Sequence, residues 1–280
     1  MKSQAALEYL TTYGWALLVI AIVIISLAEL NIFNPNFWTA KQQPGMCIVM
    51  RSQFGSAALS CSGSSLLPEF VMQMSGTGYV NIPHSTLIDS GNKYTVTAWV
   101  KTKYTGSQLI WSAGDGSTQG YQTFISAGYA SLWTNGNAII SSKLVADDTW
   151  HQIVGVFGAS GTGSIYVDGV LVGSGTIASI TTTQNNQIGT QCNGTCNGYF
   201  YGNISNVQVY NTTLSSNVIQ ELYTKGIGGA PITLQNLVGW WPLNGNANDY
   251  SGTGTFGRGD NGIATNVIYT NNWYSNYVTP

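Results

Sequence analysis

Charge is what this sequence has least of. Lysine, arginine, aspartate and glutamate together make up 7% of 280 residues, against about 25% in an ordinary soluble domain. Disorder does not account for this. Disordered chains are rich in charge and poor in apolar residues, whereas here the apolar fraction is 44%. The polar surface must be built from Ser, Thr, Asn, Gln and Gly. Such a surface keeps its charge nearly constant as pH changes, which suits exposure to acid outside a cell. The nine basic residues are scattered, with only Lys101 close to Lys103, and the net charge is −2. A nucleic-acid partner, which needs a basic patch, finds no support.

Carboxylates are as sparse. Beyond the first thirty residues the only glutamates are Glu69 and Glu221, and neither has a carboxylate two or four places away. Retaining glycosidases need two carboxyls about 5–5.5 Å apart. Asp147 and Asp148 are adjacent, so on a strand they would point to opposite faces. There is no nucleophile elbow and no phosphate loop. The expectation is a protein that is not an enzyme, with glycoside hydrolysis the least favoured reading. Cysteine is limited to two close pairs, Cys47 with Cys61 and Cys192 with Cys196. An even count in a secreted-looking chain reads as two disulfides. The zinc alternative has only His84 and His151 to complete a ligand set.

What the chain does have is one long apolar run. Residues 9–28 carry no charge and 15–25 are almost wholly aliphatic, and about twenty such residues span a bilayer core. An ordinary signal peptide fits poorly, because no small-residue cleavage site follows the run and Glu8 sits at its mouth. A plain membrane anchor is a simpler alternative. A carboxylate at the edge of a membrane helix is costly and usually functional. Gln4, Glu8 and the apolar run together resemble the class III signal peptide of archaeal pilins and archaellins. That resemblance implies a leader over residues 1–3, cut between Ser3 and Gln4 by a prepilin peptidase. It also implies a hydrophobic assembly and membrane helix over 4–33, with Glu8 pairing with a nearby freed N-terminal amine. The precursor would lie in the cell membrane and the product in an extracellular filament of identical copies built by pilus machinery. Pro35 disfavours helix at Asn34, and residues 34–44 read as a neck.

Beyond Pro44 the pattern changes to short apolar runs between Gly, Ser, Asn and Asp clusters. Residues 94–100 alternate with period two, as do 152–157 and 164–167. Asp168-Gly169 between two such runs is a hairpin signal. One helix is expected, over 215–225, capped by Ser215 and ended by Gly226. Residues 45–280 thus read as an extracellular β-sandwich.

The stretches GYVNIP (78–83), YTVTAWVK (94–101), TWHQIVGVF (149–157), IYVDGVLV (165–172) and GNISNVQVYNTTLSSNVIQELY (202–223) resemble the laminin-G-like, concanavalin-A-like jelly roll over residues 76–226. The resemblance implies a carbohydrate or cell-surface ligand, without assigning its contacts. Tyr121, Tyr129, Trp133, Tyr199 and Tyr201 are aromatic candidates, each weighed against a place in the core. His151 occupies a position that is structural in this fold. Some relatives hold calcium, for which Asp115 in GDGS is the candidate ligand, although Asp-Gly is commonly only a turn. Residues 47–61 look instead like the disulfide-bearing strand region of archaeal pilins. Asn193, Asn203 and Asn211 head N-glycosylation sequons. Arg258-Gly259-Asp260 is read as chance.

The stretch 238–252 resembles the opening strand of the jelly roll, yet here it comes last. It could begin a truncated second copy, donate a strand to another subunit, or close its own sandwich. The last is favoured, with 236–280 as the completing segment, Trp240, Trp241 and Leu243 buried, and the two tryptophans facing opposite ways. The fold expected is a long N-terminal hydrophobic α-helix followed by an all-β jelly roll closed by a C-terminal strand. The function expected is a structural subunit of a type IV pilus-like filament that displays a lectin-like domain for attachment. The alternative is a single-pass membrane-anchored surface lectin that does not polymerise.

Overall fold

The structure is a computed structural model. It describes residues 13, 15, 18–23, 47–51, 56–61, 67–84, 93–114, 120–159, 161–178, 184–253 and 261–280. The chain divides into two units, Met1–Gln43 and Pro44–Pro280.

In the first unit the described positions are helical and exposed. The expected long N-terminal hydrophobic helix over 4–33 is nevertheless corrected. Among the described residues no helix is long and apolar enough to cross a membrane. Ser3, Gln4, Glu8 and the neck 34–44 lie outside the described residues.

The second unit is a sandwich of two antiparallel sheets. Strands are numbered along the chain. The eight-stranded sheet runs β12 (Val170–Thr176), β11 (Thr162–Val167), β10 (Trp150–Phe157), β5 (Tyr94–Lys101), β16 (Tyr201–Tyr210), β3 (Val71–Ser75) and β19 (Ile268–Thr270), with β17 (Leu237–Trp241) also paired to β16. The seven-stranded sheet runs β18 (Ile263–Thr265), β4 (Tyr79–Ile82), β13 (Asn186–Ile188), β6 (Gln108–Gly114), β7 (Gly120–Ser126), β8 (Tyr129–Thr134) and β9 (Asn137–Leu144). Two small hairpins stand apart: β1 (Cys47–Arg51) with β2 (Ala57–Cys61), and β14 (Gln191–Asn193) with β15 (Thr195–Asn197). Each is closed by a disulfide between directly opposed residues, Cys47–Cys61 and Cys192–Cys196.

Period-two alternation sets what lies between the sheets. Val96, Ala98 and Val100 of β5 and Ile153 and Phe157 of β10 enter the inter-sheet core, where Ile82, Ile110, Trp111, Ile125 and Leu132 meet them from the other sheet. The sheets approach closely at Gly155. A Cβ there would come 2.6 Å from Leu132 Cδ2 and 2.7 Å from Thr123 Oγ1, so any larger residue would push the sheets apart. Asp168 and Gly169 turn β11 into β12 with φ of 53° and 76°, the left-handed pair that a two-residue hairpin requires.

β17 lies beside β16 just past the point where β3 stops pairing with it. Trp241 and Leu243 enter the inter-sheet core, while Trp240 faces a second cluster on the outside of the eight-stranded sheet. After β17 the chain adds β18 to the edge strand β4 and β19 to the edge strand β3, covering one edge of each sheet.

The outside of the eight-stranded sheet is covered. Helix α1 (Ser216–Thr224), whose N-terminal Val218 amide is bonded by the Ser215 side chain, lays Ile219 and Leu222 against Val154, Val156, Tyr210 and Trp240. Next to it, Trp99 and Trp150 are buried under Ile227 and Trp273. Trp150 Nε1 donates to the Trp273 carbonyl at 3.0 Å, and Lys101 Nζ donates to the Ser275 carbonyl at 2.7 Å, tying down the C-terminal segment. The functional surface is therefore to be sought on the other sheet.

Candidate functional site

On the outside of the seven-stranded sheet, register places a straight line of side chains across five strands. Asn81 on β4 opposes Gln187 on β13, Gln187 opposes Ser112 on β6, Ser112 opposes Gln122 on β7, and Gln122 opposes Trp133 on β8. Directly opposed residues share a face. Their chain neighbours Val80, Ile188, Trp111 and Leu132 point the other way, into the core. Four neutral polar side chains thus lead to a partly exposed tryptophan.

The β14–β15 hairpin folds over the middle of this line. Ser112 Oγ donates to the Thr190 carbonyl at 2.9 Å, and Thr190 Oγ1 donates to the Asn197 carbonyl at 2.7 Å. Gln122 Nε2 donates to Gln191 Oε1, and Gln191 Nε2 donates to Asn197 Oδ1 at 2.8 Å. Ser112 and Gln187 are buried beneath, while Gln191 and Asn197 stay accessible. The result is an amide cluster beside the Trp133 indole.

Among the aromatic candidates, the structure brings three to this side. Trp133 ends the line, Tyr129 lies four residues before it on the same face of β8, and Tyr199 tilts against Tyr79 with centroids 6.4 Å apart. Tyr121 is in the core, and Tyr201 packs on Tyr104 at 4.5 Å in the other sheet. Gln122, Gln191 and Asn197 carried no signal in sequence, because amides are abundant throughout the chain and only register singles these out. Asn193 and Asn211 are exposed and Asn203 is half-buried on β16. Asp115 lies outside the described residues. Among the described residues no group of three or more His, Cys, Asp or Glu is placed to hold a metal ion.

His151 sits in a different kind of cluster, at one end of the sandwich. Its Nδ1 is 2.8 Å from Asp168 Oδ2, and its Nε2 is 3.2 Å from Asp147 Oδ1 and 2.9 Å from Thr149 Oγ1. Lys143 Nζ also donates to Asp168 Oδ2. Burial lowers the His151 pKa, but hydrogen bonds and charge from Asp168 and then Asp147 outweigh it, so the net direction is up. Asp168 is pushed up by burial and pulled further down by His151 and Lys143. An imidazole bonded to a carboxylate at each nitrogen, with its pKa raised, is a poor general base. This cluster joins β9, β10 and the β11–β12 turn, which agrees with a structural place for His151.

A crevice of about 350 Å³, lined by Trp99, Thr149, Trp150, Tyr223, Asn276 and Val278, opens on the covered side. Its aromatic walls already have ring partners: Trp99 stacks on Tyr223 at 5.7 Å, and Trp150 meets the buried Trp273 edge-on.

Comparison with known proteins agrees with this architecture. Residues 74–220 match the family described as the concanavalin A-like lectin/glucanases superfamily. A candidate carbohydrate binding protein from Bacteroides ovatus superposes with a TM-score of 0.56 at 14% identity, over 77% of this chain and 66% of its own length. The heptameric SAP-like pentraxin from Limulus polyphemus superposes with a TM-score of 0.52 at 14% identity, over 74% of this chain and 96% of its own. At such identities the likeness is one of fold. No curated protein matches the chain.

Proposed function

The chain belongs to the concanavalin A-like lectin/glucanases superfamily, and on that premise we propose that it binds carbohydrate on the outside of its seven-stranded sheet. The observation that carries this reading is Trp133 directly beside Gln122, with the Gln191 and Asn197 amides reaching in from the hairpin. A pyranose has an apolar face of C–H groups and an edge of hydroxyls. An accessible indole can pack against the first, and amides can donate to and accept from the second. The Bacteroides ovatus protein, described as a candidate carbohydrate binder, supports the same reading. The test is glycan-array screening followed by calorimetry on the purified protein and on Trp133→Ala. Loss of about tenfold or more in affinity with the melting temperature retained is expected. Equal binding by the variant would refute the site.

The role is binding rather than catalysis. Supporting this, the carboxylates of Asp147 and Asp168 are taken up by His151, Thr149 and Lys143.

The finer reading is display of this domain on an extracellular, type IV pilus-like filament that serves attachment. Its support is the motif at Ser3, Gln4 and Glu8 in the sequence. Electron microscopy of surface filaments and N-terminal sequencing of their subunit test it. Subunits that begin at Gln4 support the reading. Surface material that begins at Met1, or that never appears in filaments, leaves a surface lectin that does not polymerise.

A further inference from the structure

The described residues that make up this site are uncharged. The cross-strand line Asn81, Gln187, Ser112, Gln122, Trp133 and the hairpin Gln191–Asn197 contain no Asp, Glu, Lys, Arg or His. We propose that the disulfide-bonded hairpin is the specificity-determining half of this site and restricts it to neutral glycans. The inference rests on the carbohydrate reading and deepens it.

Two features carry the argument. The first is the chemistry of the amides. Each Gln or Asn side chain offers two donors and a carbonyl acceptor. In the run Gln122–Gln191–Asn197 each contact uses one donor and one acceptor position. The remaining capacity has both signs, which matches hydroxyl groups, since each of these also donates and accepts. A carboxylate or sulfate offers acceptors only. Brought onto this face it would give up water without meeting a cation in the line or the hairpin, and an unpaired ion so placed is costly.

The second feature is the way the hairpin is held. Cys192 and Cys196 are bonded across directly opposed positions of β14 and β15. The hairpin base is fixed by the Thr190 hydroxyl on the Asn197 carbonyl and by the Leu109 amide on the Gly198 carbonyl at 2.8 Å. Gln191 and Asn197 are therefore presented from a clamped frame over β6 and β7. Groups fixed before a ligand arrives lose little freedom on binding. Trp133 comes from the sheet and contributes a surface that any sugar can use. The choice among sugars falls to the amides the hairpin brings.

The test uses the whole protein on matched neutral, sialylated and sulfated oligosaccharides, at about 50 and 500 mM salt, concentrations between which exposed charges become strongly screened. The variants are Gln191→Glu, Asn197→Asp and the pair Cys192→Ser with Cys196→Ser. Binding to neutral glycans alone is expected, nearly unchanged by salt. Gln191→Glu should weaken it by about tenfold, as when one well-placed hydrogen bond to a fixed group is lost. Asn197→Asp should weaken it in the same direction. The double serine variant should weaken it several-fold with the circular dichroism of the sandwich unchanged. Preference for sialylated or sulfated glycans would overturn the inference while leaving the carbohydrate reading intact. So would wild-type affinity in both Gln191→Glu and Asn197→Asp. If no glycan of any class binds, the carbohydrate reading itself fails and this inference with it.

Discussion

Gly239→Ala tests how β17 closes the sandwich. Gly239 and Trp241 lie two apart on one strand and so share a face. The Trp241 indole folds back over Gly239, and a Cβ there would overlap the ring. That ring is fully buried between the sheets and packs on Trp111 with centroids 5.5 Å apart, so it has nowhere to retreat. Overpacking of this kind costs about 1–3 kcal/mol. Removing the indole with Trp241→Ala costs about 3–5 kcal/mol, a large part of the roughly 5–15 kcal/mol that holds a domain folded. In the Trp241→Ala background the obstruction is gone and the added methyl enters the cavity. There Gly239→Ala should be neutral or slightly stabilising. The expected signature is a coupling of about 1–3 kcal/mol in urea unfolding of wild type, both single variants and the double variant. Additivity within about 0.5 kcal/mol would refute the packing argument. The wild-type midpoint should also be independent of protein concentration, because β17 pairs with β16 of its own chain. A midpoint that rises with concentration would mean the strand is exchanged between copies.

Two further outcomes follow from the structure. The His151 cluster makes stability depend on pH. His151 has a raised pKa, so its contribution is complete below its unfolded value of about 6.5 and is lost as pH rises through the higher folded value. Asp147 and Asp168 have lowered pKa values, so their contributions are present above about 3.9 and are lost as pH falls through the lower folded values. The melting temperature should therefore be highest between about pH 4 and 6.5, and His151→Gln should flatten the alkaline decline; an unchanged decline in that variant refutes the assignment. Deleting residues 263–280 should uncover the edges of β3 and β4 and the seat of Trp273, and bare edges pair with other chains. Aggregation on size exclusion is expected, and a monomer melting at the wild-type temperature would count against it.

Features set by local chemistry were legible in the sequence. The Asp168-Gly169 turn, the Ser215 cap and the alternation of β5 and β10 depend on neighbouring residues alone. The two cysteine pairs, close in sequence, sit opposite one another in their hairpins. Trp240 and Trp241 face opposite sides of β17, as adjacent strand residues must. The apolar run of 9–28 is a property of composition, and the long helix expected from it is not found among the described residues.

What the tertiary structure alone decided is which side chains come together on one face. Both sheets have the same alternating pattern, and nothing local says that α1 and the C-terminal segment will cover one of them while the β14–β15 hairpin folds over the middle of the other. Asn81, Ser112, Gln122, Trp133 and Gln187 are spread over more than a hundred residues and meet only through strand register. Tyr121 and Trp133 looked alike as aromatic candidates, yet one pleat faces the core and the other the outside of the sheet. A sequence specifies the alternation of faces along each strand. The side on which each face ends up is set by how the sheets pack, because burial is a property of the assembled layers and not of any strand within them.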